Sequence, residues 1–211
     1  IAKFVSPNRP VTSTILQPRK KLAKQLPPRK SISIHSSIIN LEHAVEISSW
    51  IDRCSTTYDV TEIPYEFKLL LRGSRDGFDT KTFHKLCDNI PALIVVMKVE
   101  NSNGILGGYS PLGWNSTNSG YTEAPGSFIF SLKNENMKES ILSRVNDQSH
   151  ATYYSHNHGP WFYDFGHRDS YGPKKWYYQG NFSTYQPPII NAVNIHFSID
   201  DYEVFQLCKN V

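Results

Sequence analysis

The fold of this chain is decided by the stretch Leu69-Leu70-Leu71-Arg72-Gly73-Ser74-Arg75-Asp76-Gly77-Phe78. An apolar strand is predicted to end at Gly73, where the chain turns through the Ser-Arg-Asp-Gly segment. A helix follows from Asp79 or Thr80, because either side chain can cap the exposed amides of a first helical turn. Phe83 and Cys87 then lie on one face of that helix. The segment therefore predicts a strand, a tight turn and a helix that share one core.

Four later segments combine glycine, aromatic and apolar residues in a fixed order. They are Gly107-Gly108-Tyr109 with Trp114, Ser127–Leu132, Gly159-Pro160 with Phe162, and Tyr202–Phe205. Together with the opening stretch, this ordered set resembles the TLDc domain of oxidation-resistance proteins, over roughly residues 40 to 208. TLDc domains also occur in some proteins with TBC or LysM domains and in BTB-domain proteins of fungi and amoebae. The chain most resembles the C-terminal domain of the fungal BTB–TLDc proteins.

The resemblance implies a fold, a function and a set of structural residues. The fold is α+β and mainly β, a two-layer antiparallel β-sandwich with flanking helices. The function is a non-catalytic protein-interaction module that binds the vacuolar proton pump (V-ATPase) at its peripheral stalk, regulates assembly of the pump and contributes to tolerance of oxidative stress. A BTB-type domain would precede this one in the full-length chain, and no cofactor is implied. The structural signature residues are Arg72, Gly73, Arg75, Asp76, Gly77, Phe78, Gly107, Gly108, Gly159, Pro160 and Glu203.

One region departs from the family pattern. Where the family places a small residue after the Gly-Pro phenylalanine, this chain has Tyr163-Asp164-Phe165. The residues that follow, 167–179, are rich in aromatics and lysine. The role of this region in relatives is therefore not carried over to this chain.

Local patterns lead independently to the same fold. Asn40 can cap a helix over residues 41–54, whose broad apolar face needs a sheet to cover it, and a second helix is predicted over residues 79–88. Asn103-Gly104 predicts a hairpin, because both residues tolerate a positive φ. Strands are predicted near residues 65–72, 92–99, 105–109, 126–132, 140–145, 151–155, 160–165, 175–183, 193–197 and 202–207. Many short strands with two helices predict an antiparallel sandwich.

Composition and charge divide the chain into an arm and a body. With 211 residues, 39% hydrophobic and 13% aromatic, one sizeable core is expected, and no apolar run approaches the ~20 residues that span a bilayer. Eight of the 22 Lys/Arg residues precede Glu42 with no acid among them, so the remainder has 14 basic and 19 acidic residues, a net charge of −5. We predict a basic, proline-rich linker over residues 1–35 and the TLDc-like domain over residues 36–211.

The arm leaves three interpretations open: a nuclear import signal, a contact for phosphate or anionic lipid, or a solvated linker. The linker is favoured, because fungal BTB–TLDc proteins place a similar segment between their two domains. Apart from Phe4 the arm has no aromatic residue among its basic ones, so nucleic acid is not expected as a partner. The expected location is the cytoplasm, with nuclear import through the arm as the alternative.

The three cysteines, Cys54, Cys87 and Cys208, are odd in number and widely spaced. This pattern predicts free thiols in a reducing compartment. His84 and Cys87 lie three residues apart on the second predicted helix, where an imidazolium could lower the pKa of the thiol and make it redox-active. The favoured interpretation is a buried structural thiol, because Cys87 shares its helix face with Phe83.

A histidine cluster offers a second chemical alternative. If residues 156–158 form a strand, His156 and His158 project from one face and could bind one metal ion, with Asp164, His167 or Asp169 nearby. The favoured interpretation is a polar loop, because this spacing matches no established metal pattern. The alternative function is therefore a redox or hydrolytic enzyme that uses Cys87 with His84, or His156 with His158. No Ser-His-Asp order, Walker loop or HExxH motif is present.

Overall fold

The structure is a computed structural model that describes residues 34–134, 138–180 and 184–210. The predicted linker over residues 1–35 lies almost wholly outside the described residues and stays a prediction. The described helices are α1 (Leu41–Ile51), α2 (Gly73–Asp76) and α3 (Thr80–Cys87), with 3-10 turns at Val60–Glu62, Gln148–His150 and Asp169–Tyr171. The described strands are β1 (Tyr65–Arg72), β2 (Leu93–Val99), β3 (Ile105–Ser110), β4 (Gly120–Thr122), β5 (Phe128–Leu132), β6 (Ile141–Val145), β7 (Thr152–Tyr154), β8 (His158–Phe162), β9 (Phe165–Arg168), β10 (Lys175–Tyr178), β11 (Tyr185–Gln186) and β12 (Ile195–Lys209).

Two antiparallel layers are joined by one long strand, β12. The first sheet has the order β11-β6-β5-β3-β2-β12-β1, and the second has the order β12-β10-β9-β8-β7-β4. The first residues of β12 pair with β10, and the rest pair with β2 and β1. The predicted α+β, mainly β fold, a two-layer antiparallel sandwich with flanking helices, is therefore confirmed.

The larger core fills the space between the two sheets. Val95 and Met97 of β2 face Phe162, Phe165 and Trp176 of the second sheet, and all five side chains are buried. Because side chains alternate along a strand, the intervening residues of β2 point to the opposite face. That face is also covered, which explains why β2 is an unbroken apolar run.

Helix α1 covers the outer face of the first sheet. Its buried Ala44 and Ile47 pack with Phe128, Phe130 and Phe205 in a second core. The helix begins where predicted, since the side chain of Asn40 accepts from the amide of His43 at 3.0 Å. It ends at Ile51, three residues before the predicted end, and the N–H of Asp52 closes the last turn.

Several predicted strand limits are wrong for identifiable reasons. The strands predicted at 193–197 and 202–207 are one strand, because a register shift between Ile199 and Asp201 absorbs the expected turn. The strand predicted at 160–165 is two, since Tyr163 and Asp164 form the turn that pairs Phe162 with Phe165. The strand predicted at 175–183 ends at Tyr178, and residues 181–183 lie outside the described residues.

The hairpin predicted at Asn103-Gly104 is present, but its turn chemistry differs. Strands β2 and β3 pair antiparallel, with Lys98 opposite Ile105. The positive φ in the loop, 56°, belongs to Asn101.

No helix in the described part of the chain is long and apolar enough to cross a membrane.

Candidate functional site

A buried carboxylate lies where the signature stretch meets the last strand. Glu203 of β12 is fully buried, and its Oε1 accepts from Arg72 Nε at 2.7 Å. The same oxygen accepts from the amide and hydroxyl of Ser37, at 3.0 and 2.9 Å. The hydroxyl of Ser36 donates to Oε2. The charge of the carboxylate is thus balanced by one guanidinium and supported by three neutral donors, as a buried charge requires.

These hydrogen bonds connect the first described residues of the domain to β1 and to the last strand, β12. Arg72 also donates from Nη2 to the carbonyl of His35 at 3.1 Å. The hydroxyl of Ser36 accepts from the amides of Ile38 and Ile39, at 3.0 and 2.9 Å. Ser36 and Glu203 are 167 residues apart, so sequence reasoning had no local signal for the two serines.

The signature turn is braced by two carboxylates. Asp76 accepts from Arg75 Nε and Nη2 at 2.8 and 2.7 Å, and its Oδ2 also accepts from the amide of Arg72 at 2.9 Å. The hydrogen bonds from Arg75 hold the pKa of Asp76 below its usual value. Asp201 accepts from the amide and hydroxyl of Ser74, at 2.8 and 2.5 Å. These contacts fix the corner between β1 and β12.

Two positions of the turn require glycine, Gly73 because a side chain has no room there and Gly77 because of its backbone angle. A Cβ on Gly73 would lie 2.5 Å from the ring of Phe78 and 2.8 Å from that of Tyr202. Gly77 has φ +122°, which residues with a side chain rarely adopt. Phe78 lies against Tyr202, with ring centroids 5.8 Å apart. Both glycines therefore serve the geometry of the corner.

The remaining signature residues lie away from this corner. Gly107 and Gly108 are buried in β3, where a Cβ would meet the carbonyl of Val95 at 2.3 Å or Phe162 at 2.5 Å. Gly159 and Pro160 are buried within β8. The signature thus separates into a hydrogen-bonded corner, two glycines of β3 where close packing excludes a side chain, and a buried Gly-Pro pair in β8.

A cleft of about 540 Å³ opens beside the corner, and Ser37 belongs to both. Three lysines line it: Lys98 of β2, Lys133 after β5, and Lys138. The N-terminus of α1 also faces the cleft, since Asn40, Glu42 and His43 are among its lining residues. Helix N-termini and lysines both favour negative charge.

Two carboxylates approach these lysines without forming close pairs. Glu42 Oε2 lies 3.9 Å from Lys133 Nζ, and Asp200 Oδ2 lies 3.8 Å from Lys98 Nζ. Exposed pairs of this length contribute little, about 0–1 kcal/mol. We call the cleft that Lys98, Lys133 and Lys138 line the lysine cleft. Its three positive side chains lie on a body whose net charge is −5.

Cys87 is buried, as the favoured interpretation of a structural thiol predicted, and the structure does not support the redox alternative. Its side chain is fully buried, and burial raises the pKa of the thiol to about 12. His84 is engaged elsewhere: Nδ1 lies 2.7 Å from Asp88 Oδ1, and Nε2 lies 2.8 Å from the carbonyl of His158. A thiolate is the reactive form of cysteine, so this environment makes Cys87 inert.

The strand arrangement that the metal alternative needs is not found for the two histidines. His156 lies in an exposed turn and His158 begins β8, so they do not share a strand face. Asp169 accepts from the amide and hydroxyl of Thr80, at 2.9 and 2.7 Å, and therefore serves α3. His167 Nδ1 bonds the carbonyl of Lys175 at 2.8 Å. Among the described residues no group of three or more His, Cys, Asp or Glu could hold a metal ion.

Comparison with protein-family models identifies a TLDc domain in this chain. The family model for the TLDc domain matches residues 32–208, well over half of the chain. The matched range contains the Arg72–Glu203 corner and the lysine cleft. No curated protein matches the chain.

Proposed function

The chain belongs to the TLDc-domain family, and on that premise we propose that it is a non-catalytic protein-interaction module. The observation that carries the proposal is the Arg72–Glu203 corner. Its carboxylate already accepts hydrogen bonds from one arginine and two serines, so it resembles a structural junction more than an acid or base. The redox alternative has less support, because the thiol of Cys87 is buried with a pKa of about 12.

The lysine cleft is the surface we assign to the partner. The lysine cleft lies next to the Arg72–Glu203 corner. Ser37 lines the cleft and is held in place by two hydrogen bonds to Glu203. A cleft lined by three lysines favours an acidic segment of another protein through electrostatic complementarity. We propose that the partner is the peripheral stalk of the V-ATPase, as the family resemblance implies, with regulation of pump assembly and oxidative-stress tolerance as the outcome.

Two further parts of the proposal concern the cellular setting. We propose a cytoplasmic location, which is consistent with Cys54, Cys87 and Cys208 all being free thiols. We also propose that a BTB-type domain precedes this one in the full-length protein.

Binding to purified peripheral stalk, measured by biolayer interferometry, tests the proposal. The double variant Lys98→Glu with Lys133→Glu should weaken binding by about tenfold or more, because it reverses two charges of the cleft. Its matched control is Lys68→Glu with Lys85→Glu, which changes the net charge equally at two exposed positions on β1 and α3. Equal effects of the two double variants would exclude the cleft, and absence of any binding would exclude the stalk.

A further inference from the structure

The outer face of the second sheet carries a continuous run of aromatic rings. We call it the aromatic face, and its rings lie on β4, β7, β8, β10 and β12. Neighbouring ring centroids are 4.9 to 6.3 Å apart along the series Tyr121, Tyr153, His158, Trp161, Tyr177 and His196. Tyr121 is 53% exposed, His196 is exposed, and the others are half-buried. The run therefore crosses the whole sheet at its accessible surface.

The pleat of the sheet places these rings on one side. Tyr154, Phe162, Trp176 and Tyr178, which occupy intervening or adjacent positions, are buried in the core between the sheets. Side chains alternate along a strand, and one extra residue between His158 and Trp161 of β8 returns both of these rings to the same face, so the accessible rings point away from that core. The aromatic face is thus separate from the interior aromatic cluster.

A glycine at the centre of the aromatic face leaves room for the ring of Trp161. Gly166 of β9 pairs with Trp161 on one side and with Tyr177 on the other. A Cβ on Gly166 would lie 2.6 Å from the indole ring atoms of Trp161. Without that carbon, the two rings approach over the intervening strand to 6.3 Å, with 20° between their planes.

The strands of the aromatic face carry basic side chains and no carboxylate, while Asp147 and Asp169 lie in the turns at its edge. The six strand segments of the second sheet contain no Asp or Glu, while the body as a whole has net charge −5. Arg168 lies 4.3 Å above the ring of Tyr171, whose centroid is 4.6 Å from that of His196. Lys175 is exposed at the start of β10.

From rings and charge together we infer that the aromatic face binds single-stranded nucleic acid. Unpaired bases stack on aromatic side chains, and phosphates bind Lys and Arg alongside. Six rings in contact across one sheet, flanked by Arg168 and Lys175 with no strand carboxylate, supply both interactions. The expectation that nucleic acid is not a partner rested on the composition of the arm, and the aromatic face supplies the rings that the arm lacks. The inference is independent of the lysine cleft.

The test separates base stacking from charge attraction. Fluorescence anisotropy of the full 211-residue chain is measured with a fluorescein-labelled single strand of 12 mixed nucleotides. The comparison ligand is an abasic strand of the same length and charge. Stacking on several rings should make the base-containing strand bind roughly fivefold or more tightly. Equal affinity for the two strands would overturn the inference.

Substitutions in the full chain assign the binding to one surface. Trp161→Ala should remove most of the preference for the base-containing strand, and Trp161→Phe should keep much of it, because a ring is retained. The double variant Lys20→Gln with Lys21→Gln, in the basic arm, should weaken binding of the base-containing and the abasic strand to the same extent. Thermal unfolding followed by circular dichroism establishes that the variants fold. A folded Trp161→Ala protein with unchanged preference would place binding elsewhere and refute the inference.

Discussion

Removing the guanidinium of Arg72 should destabilise the whole domain, since it leaves the fully buried Glu203 carboxylate without its counter-charge. The substitution Arg72→Met keeps most of the apolar stem and deletes the 2.7 Å bond to Glu203 and the 3.1 Å bond to the carbonyl of His35. Breaking one partner of a buried pair costs about 3–5 kcal/mol. Ser36 and Ser37 still donate to the carboxylate, so we expect a loss of about 2–4 kcal/mol.

Urea unfolding, followed by tryptophan fluorescence, measures this loss, and a double-mutant cycle assigns its cause. Arg72→Met with Glu203→Met removes both charges, so the double variant should recover at least about 1 kcal/mol relative to Arg72→Met alone. The matched control is Arg75→Met, which breaks the ion pair between Arg75 and Asp76. The side chain of Arg75 is 52% exposed in that pair. An exposed pair contributes about 0–1 kcal/mol. The reasoning would be refuted if Arg72→Met and Arg75→Met lowered the free energy of unfolding by equal, small amounts. It would also be refuted if the double variant were no more stable than Arg72→Met.

Three further predictions concern the cores and the titrating groups. Trp50→Ala should lower the free energy of unfolding by about 2–3 kcal/mol, because the half-buried indole packs against two phenylalanines at 5.6 and 6.1 Å; an unchanged melting temperature would contradict this. Cys87 should resist labelling by a thiol reagent in the native protein and react in urea, since burial raises the pKa of its thiol to about 12, and native labelling of all three cysteines would contradict that. Burial lowers the pKa of His158 to about 4, so between that value and about 6.5 the unfolded chain binds the extra proton, and stability should fall as the pH falls through this window. His158→Gln should make the free energy of unfolding less dependent on pH across that window, and an identical pH dependence in the variant would contradict the assignment.

Local rules were sufficient for much of the fold. Asn40 caps α1 as predicted, and β2 is the apolar strand that its composition indicated. The continuity of β12 was missed, because a bulge at Ile199–Asp201 lets a polar pair continue in a strand where sequence patterns predict a turn.

The site was less accessible to sequence reasoning than the fold. The corner combines Ser36 and Ser37 with Glu203, and contacts across 166 or 167 residues leave no periodic signal. The aromatic face depends on strand register, which places Trp161 and Tyr177 on either side of Gly166. The sequence showed that this region is rich in aromatic residues, but only the pairing of strands shows which rings meet.

The central claim is that this TLDc domain acts by binding a protein at the lysine cleft. Hydrogen–deuterium exchange of the full chain, with and without purified V-ATPase peripheral stalk, tests it most directly. The account predicts slower exchange in the backbone around the cleft, over residues 36–43 and 98–105, while β10 is unchanged. Unchanged exchange around the cleft at saturating stalk concentration, or protection confined to the second sheet, would contradict the account.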